Sequence, residues 1–161
     1  MLKGVLFTVI TLFTASVCQA SPLKGDRAPD FKALTSAGVE ISLAEYRGKI
    51  VVLDFFATWC APCRQLTSFL VELEKKSKGS NLKIIGMDVE DSGKEKITAY
   101  IREKGINYPL VYAQDNIQSL YGVRSLPLLY IVGKDGTIAG KFQGFNGDIA
   151  ASIESLLKRI Q

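Results

Sequence analysis

The chain contains no histidine and only three cysteines, Cys18, Cys60 and Cys63. Without histidine, a cysteine pair is half of a metal site that lacks its other half, and no imidazole is at hand to pair with a thiolate. No metal or other cofactor is expected. No internal repeat is present, which excludes solenoids and propellers. The basic residues are scattered, so the net charge of +4 reads as ordinary solvated surface and nucleic acid is not an expected partner. No apolar run reaches the roughly 18 to 20 residues of a membrane-spanning helix. What remains, 47% hydrophobic and 22% charged residues over 161 positions, is the composition of one globular domain.

The first residues differ from the rest. Lys3 supplies a short positive region, Val5 to Val17 is uncharged and mostly apolar, and Cys18-Gln19-Ala20 ends in small residues before Ser21-Pro22. This is the layout of a secretory signal peptide, with cleavage expected after Ala20 and residues 21–161 as the domain, periplasmic or otherwise extracytoplasmic. An uncleaved membrane anchor is the alternative. Lipoprotein processing at Cys18 is a third, poorly served by Ala15-Ser16-Val17. Losing residues 1–20 leaves 141 residues, a net charge of +3 and two cysteines, both in Trp59-Cys60-Ala61-Pro62-Cys63. A disulfide across so short a span closes too small a loop to stabilise much, since several kcal/mol need loops of about fifteen residues or more. The pair is there to react.

Past an extended lead-in from Pro22 to Phe31, Val39 to Leu43 alternates as a strand does, and Tyr46 to Lys49 reads as a turn. Ile50 to Phe56 is apolar on both faces, the mark of a central strand covered on both sides. From Cys63 the apolar positions Leu66, Phe69, Leu70 and Leu73 fall at helical spacing, with Glu72, Glu74, Lys75 and Lys76 turned outward. Leu82 to Val89 predicts a second strand, and Ile97, Tyr100 and Ile101 a second helix ending near Gly105, which completes a βαβ unit. A short strand and a short helix at Asn116 to Tyr121 are expected between Tyr108 and Val123. Leu126 to Val132 and Thr137 to Phe142 form a hairpin about Lys134-Asp135-Gly136, and Ile149, Ile153, Leu156, Leu157 and Ile160 mark a C-terminal helix.

In this order of elements, Gly25-Asp26-Arg27-Ala28-Pro29-Asp30-Phe31, Tyr46-Arg47-Gly48-Lys49, Phe55-Phe56-Ala57-Thr58-Trp59-Cys60-Ala61-Pro62-Cys63, Tyr121-Gly122-Val123 and Leu126-Pro127 resemble the thioredoxin superfamily, most closely its TlpA/ResA-like branch of exported thiol-disulfide proteins. The resemblance implies an α/β fold of three layers, a central mixed sheet flanked by helices, with an N-terminal strand extension. It also implies a cis Leu126-Pro127 bond packed against the CxxC, with the backbone of Leu126 available to a substrate strand. Relatives that carry copper are expected to use a histidine, which is missing here. A peroxiredoxin is expected to place its attacking cysteine in a Thr-x-x-Cys context, also missing.

The physics of the positions agrees with these roles. Cys60 opens a helix, where unpaired N–H groups and the positive end of the dipole stabilise a thiolate, the attacking species. Cys63, one turn in, is placed to resolve the mixed disulfide. Pro62 in the first turn costs no helical hydrogen bond and narrows the geometry between the sulfurs. Trp59 is either core or a flat apolar rim for a partner polypeptide. Pro127 opens a strand, where proline is tolerated.

Asp54, six residues before Cys60 on the face of Val52 and Phe56, is an acid inside an apolar strand and should hold its proton. By resemblance to thioredoxins it relays protons to the buried cysteine, whereas the TlpA/ResA-like pattern often has asparagine there. A structural pairing with a lysine is the other reading. Relatives also place an acid near the site after the second strand, where this chain has Glu90 and Asp91, either of which could instead be solvated loop.

The expected function is thiol-disulfide exchange between Cys60-Cys63 and protein thiols or disulfides, as a monomeric reductase fed by a membrane electron donor. The resemblance points to cytochrome c maturation or oxidase assembly. A disulfide oxidase or isomerase, and a chaperone module that binds without turnover, are the alternatives.

Overall fold

A computed structural model describes residues 21–90 and 92–161. The proposed signal segment and Asp91 lie outside the described residues.

Ile50–Phe56 (β3) is buried along its whole length and is the middle strand of a five-stranded sheet. It pairs in parallel with Leu82–Asp88 (β4) on one side and antiparallel with Leu128–Val132 (β6) on the other. Leu110–Tyr112 (β5) and Ile138–Gln143 (β7) are the edges, giving the order β5-β4-β3-β6-β7. A mixed sheet of this kind needs cover on both faces, and the alternation of β3 supplies apolar groups to each. Ile50, Val52 and Phe56 pack with residues of Ala61–Lys76 (α1), Gly93–Lys104 (α2) and Gly147–Ile160 (α4). Val51, Leu53 and Phe55 face Asp115–Tyr121 (α3) and the small antiparallel pair Lys32–Leu34 (β1) and Glu40–Ser42 (β2). On that second face Phe55, Tyr121 and Tyr130 form a ring cluster, and the Tyr121 hydroxyl donates to the Pro29 carbonyl, tying the N-terminal lead-in down.

Besides shifts of a residue at several strand and helix ends, some details differ from the sequence expectation for identifiable reasons. The alternating stretch ends at Ser42, and Leu43–Tyr46 is a 3-10 turn instead of the end of a strand and the start of a turn. Its cause is local: the Glu45 carboxylate accepts from the Ser42 N–H at 3.1 Å and from its Oγ at 2.9 Å. The hairpin strand begins at Leu128, because Pro127 has no N–H for the ladder. On α1 the buried arc is Cys63, Leu66, Thr67, Leu70 and Val71, rotated toward Thr67 and Val71, so Glu74 is half-buried instead of turned outward. Burial accordingly pushes the Glu74 carboxyl up, partly offset by Lys83.

Candidate active site

Strand β3 delivers the chain to Ala57, whose carbonyl accepts the Cys60 N–H at 3.2 Å and closes a turn that starts α1. Cys60 is the N-cap of that helix, and the Cys63 N–H points at its Sγ at 3.3 Å. One of the helix's orphan donors is thus aimed at the sulfur where negative charge would form on reduction. The two sulfurs are joined in a disulfide, with Cys63 fully buried and Cys60 6% exposed. Of the two residues only Cys60 has any exposed area, and it lines a surface depression. Pro62, in the first turn, is exposed.

Trp59 is 71% exposed and therefore not core. It borders a depression of about 320 Å³ with Cys60, Val89, Gln118, Arg124 and Leu126. Val89 and Gln118 also line a neighbouring, larger hollow of about 550 Å³ toward Tyr112 and Asn116. The Leu126-Pro127 bond is cis, and Pro127 is buried, its carbonyl accepting from Gly144 N–H and Gln143 Nε2. Leu126 lies in the wall of the depression that holds Cys60.

Asp54 is 1% exposed and sits on the face of β3 that carries the Cys60-Cys63 cluster. Among the described residues neither carboxyl oxygen has a hydrogen-bond partner, and no lysine pairs with it. Burial alone pushes its pKa to about 8. The opposing residue on β4 is Gly86, where a Cβ would come within 2.2 Å of Leu110 Cδ2 and 3.4 Å of Tyr108 Cε2. The absent side chain lets Tyr108 and Leu110 close over the strand at the level of Asp54. Nearby, Thr67 Oγ1 and the Tyr100 hydroxyl are hydrogen-bonded at 2.9 Å, and burial raises both Tyr100 and Tyr108, with the Asp54 charge adding to it.

A second polar group comes together at Thr58, which sequence reasoning missed. Its N–H and Oγ1 donate to Glu90 Oε1 at 3.1 and 2.5 Å. Its carbonyl accepts from Arg64 Nη1 at 3.3 Å. Glu90 also accepts from Ser92 Oγ at 2.5 Å and pairs with Lys96 at 3.0 Å. Burial works to raise the Glu90 carboxyl, but the bonds from Ser92, Thr58 and Lys96 outweigh it and hold its pKa at about 2. Of the two acids after β4, Glu90 is therefore not solvated loop; it faces the turn that leads to Cys60. No periodicity links positions 58, 64 and 90, and the only sequence signal was the acid after the strand.

Among the described residues no cluster of three or more potential metal ligands occurs, and no helix is long and apolar enough to cross a membrane. The exposed edge of Cys60, the buried Cys63 and the helix start together make a site for thiol-disulfide exchange.

Comparison with known proteins agrees. Residues 24–141 match the AhpC/TSA family. The thiol-disulfide oxidoreductase ResA of Geobacillus kaustophilus is 29% identical over 97% of this chain and 90% of its own length. ResA of Geobacillus thermodenitrificans is 31% identical over 82% of this chain and 77% of its own. The thioredoxin domain of a thiol-disulfide oxidoreductase from Bacteroides vulgatus superposes with a TM-score of 0.76 at 24% identity, covering 88% of this chain and all of that one. The chain belongs to the AhpC/TSA family and is a thioredoxin-like thiol-disulfide oxidoreductase.

Proposed function

We propose that the protein is a reductase of protein disulfides outside the cytoplasm, of the kind that serves cytochrome c maturation or oxidase assembly. Cys60 as thiolate attacks one sulfur of a substrate disulfide, forming a mixed disulfide and releasing the first substrate thiolate. Cys63 then attacks the Cys60 sulfur, forming the Cys60-Cys63 disulfide and releasing the second. Two electrons leave the protein in each cycle. A membrane dithiol donor returns them.

The observation that carries this reading is the asymmetry of the pair, Cys60 at a helix start lining a surface depression and Cys63 wholly buried. Buried Cys63 must lose a proton to act, and Asp54, buried on the same strand face and without a partner, is the group we assign to accept it, in the ionised fraction that a pKa of about 8 leaves near neutral pH. Trp59 and Leu126 line the depression beside Cys60, and with Pro62 and Pro127 close to them in the chain they are the residues we assign to the substrate segment. The Leu126 N–H and carbonyl bond to no other backbone group among the described residues, which leaves both to an extended substrate.

The direction follows from what stabilises the thiolate. Ala61-Pro62 offers neither charge nor side-chain donor, and no histidine is present, so the helix terminus is the main stabiliser. Stabilisation should be moderate, nearer the thioredoxin thiol pKa of about 7 than the oxidase value of about 3.5. The extracytoplasmic location rests on the signal layout of residues 1–20. Turnover of insulin disulfides with dithiothreitol as electron source tests the activity: catalysed precipitation that is lost in Cys60→Ser supports it, and binding of insulin without turnover would make the protein a chaperone module.

A further inference from the structure

Thr58 stands two residues before Cys60, and all three of its polar groups are engaged by side chains from elsewhere in the fold. Two of them end on one oxygen of Glu90, a carboxylate only 13% exposed. That carboxylate is itself fixed by Ser92, whose N–H and hydroxyl are held by buried Asp88, and by Lys96 of α2. Arg64, which holds the Thr58 carbonyl, lies over the Tyr100 ring at 5.6 Å and pairs with Glu103, both of α2. Helix α2 thus reaches the attacking turn from two sides. An ion pair that served folding alone would need no contact with residue 58. Here a charged acceptor, the stronger kind, is used on the backbone that carries the nucleophile.

We propose that Glu90 is a positioning residue for Cys60: through Thr58 it holds the turn in one geometry in the dithiol as well as in the disulfide, and so sets the reduction potential of the pair. The inference rests on the assignment of Cys60 and Cys63 as the redox pair. A turn that cannot relax after reduction keeps the two sulfurs within reach, which raises their effective concentration and favours the disulfide. Released from Glu90, the dithiol gains conformations, and the potential moves upward, toward the oxidising side.

The test is the potential of the full chain against glutathione for Glu90→Ala, Thr58→Val, Thr58→Ser and Glu72→Gln. The last removes a carboxylate from the exposed Glu72-Lys75 pair of α1 and serves as the control. Glu90→Ala should lower the effective concentration about tenfold, which is a rise of about 30 mV. Thr58→Val, which keeps the branched shape and loses the hydroxyl, should rise in the same direction by less. Thr58→Ser, which keeps the hydroxyl, should stay near the unaltered protein, as should Glu72→Gln. Loss of the Glu90 charge would by itself ease formation of a nearby thiolate and raise the potential, so the threonine variants separate the two causes. An unshifted Thr58→Val potential overturns the proposal whatever Glu90→Ala does, and decides it also if Glu90→Ala fails to fold. Because only shifts are read, an absolute potential that contradicts the reductase reading leaves this test intact.

Discussion

Replacing Asp54 by asparagine should stabilise the protein, and by an amount that depends on pH. The carboxyl is fully buried, without a partner, and its pKa rises from 3.8 to about 8. In the unfolded chain it returns to about 3.9. Between these values the folded state holds a proton that the unfolded state has released. The raised folded pKa therefore gives a contribution that is fully present below pH 4, is lost as pH rises, and is gone above about pH 8. With about 1.4 kcal/mol per unit, the difference reaches about 4 kcal/mol at pH 7. Asparagine has the same shape and no charge to form. Urea unfolding of both proteins, disulfide intact, at intervals from pH 4 to 9 should give nearly equal stabilities at pH 4 and a gap that widens to pH 8. A gap that is constant across this range would refute the argument, since it would mean that Asp54 does not hold its proton in the fold. The same variant should slow insulin reduction, because Cys63 loses its proton acceptor; unchanged kinetics over the working pH range would make the carboxyl structural.

Cys63→Ser should accumulate a covalent adduct with a disulfide partner on non-reducing gels and Cys60→Ser none; equal trapping by both would remove the assigned roles. N-terminal sequencing of the protein made in a bacterial host should begin at Ser21, and an intact residue 1–20 segment in the membrane fraction would replace export by anchoring. Gly86→Ala should cost about 1 to 3 kcal/mol in thermal or urea unfolding, because its Cβ would come within 2.2 Å of Leu110 Cδ2 in a packed core; an unaffected midpoint would show that Leu110 has somewhere else to go.

Much of the frame was legible because it rests on patterns that repeat. The run from Ile50 to Phe56, six of its seven residues apolar, reads as a strand covered on both faces, and the helix after the cysteines followed from Leu66, Leu70 and their neighbours. Asp54 stood out by contrast, one acid in an apolar run. Glu74 did not: a wheel drawn through Phe69 and Leu73 places it outside, whereas the helix packs along Thr67 and Val71 and carries Glu74 half inward. The Thr58, Arg64 and Glu90 cluster was illegible for a different reason. Thr58 and Glu90 are 32 residues apart in the chain, each member is an ordinary surface residue by composition, and only the pairing of β3 with β4 brings the ends of those strands together. The Thr67-Tyr100 bond has the same origin, a polar pair joined across two helices with no local signature.

The central claim is that a helix start with no charged or donating dipeptide and no histidine makes a moderate thiolate, and hence a reductant. Equilibrating the Cys60-Cys63 pair against glutathione or dithiothreitol measures it directly. The expected potential is about −220 to −270 mV. A value near about −120 mV, the strong-oxidant range, would contradict the account and turn the protein into a disulfide donor.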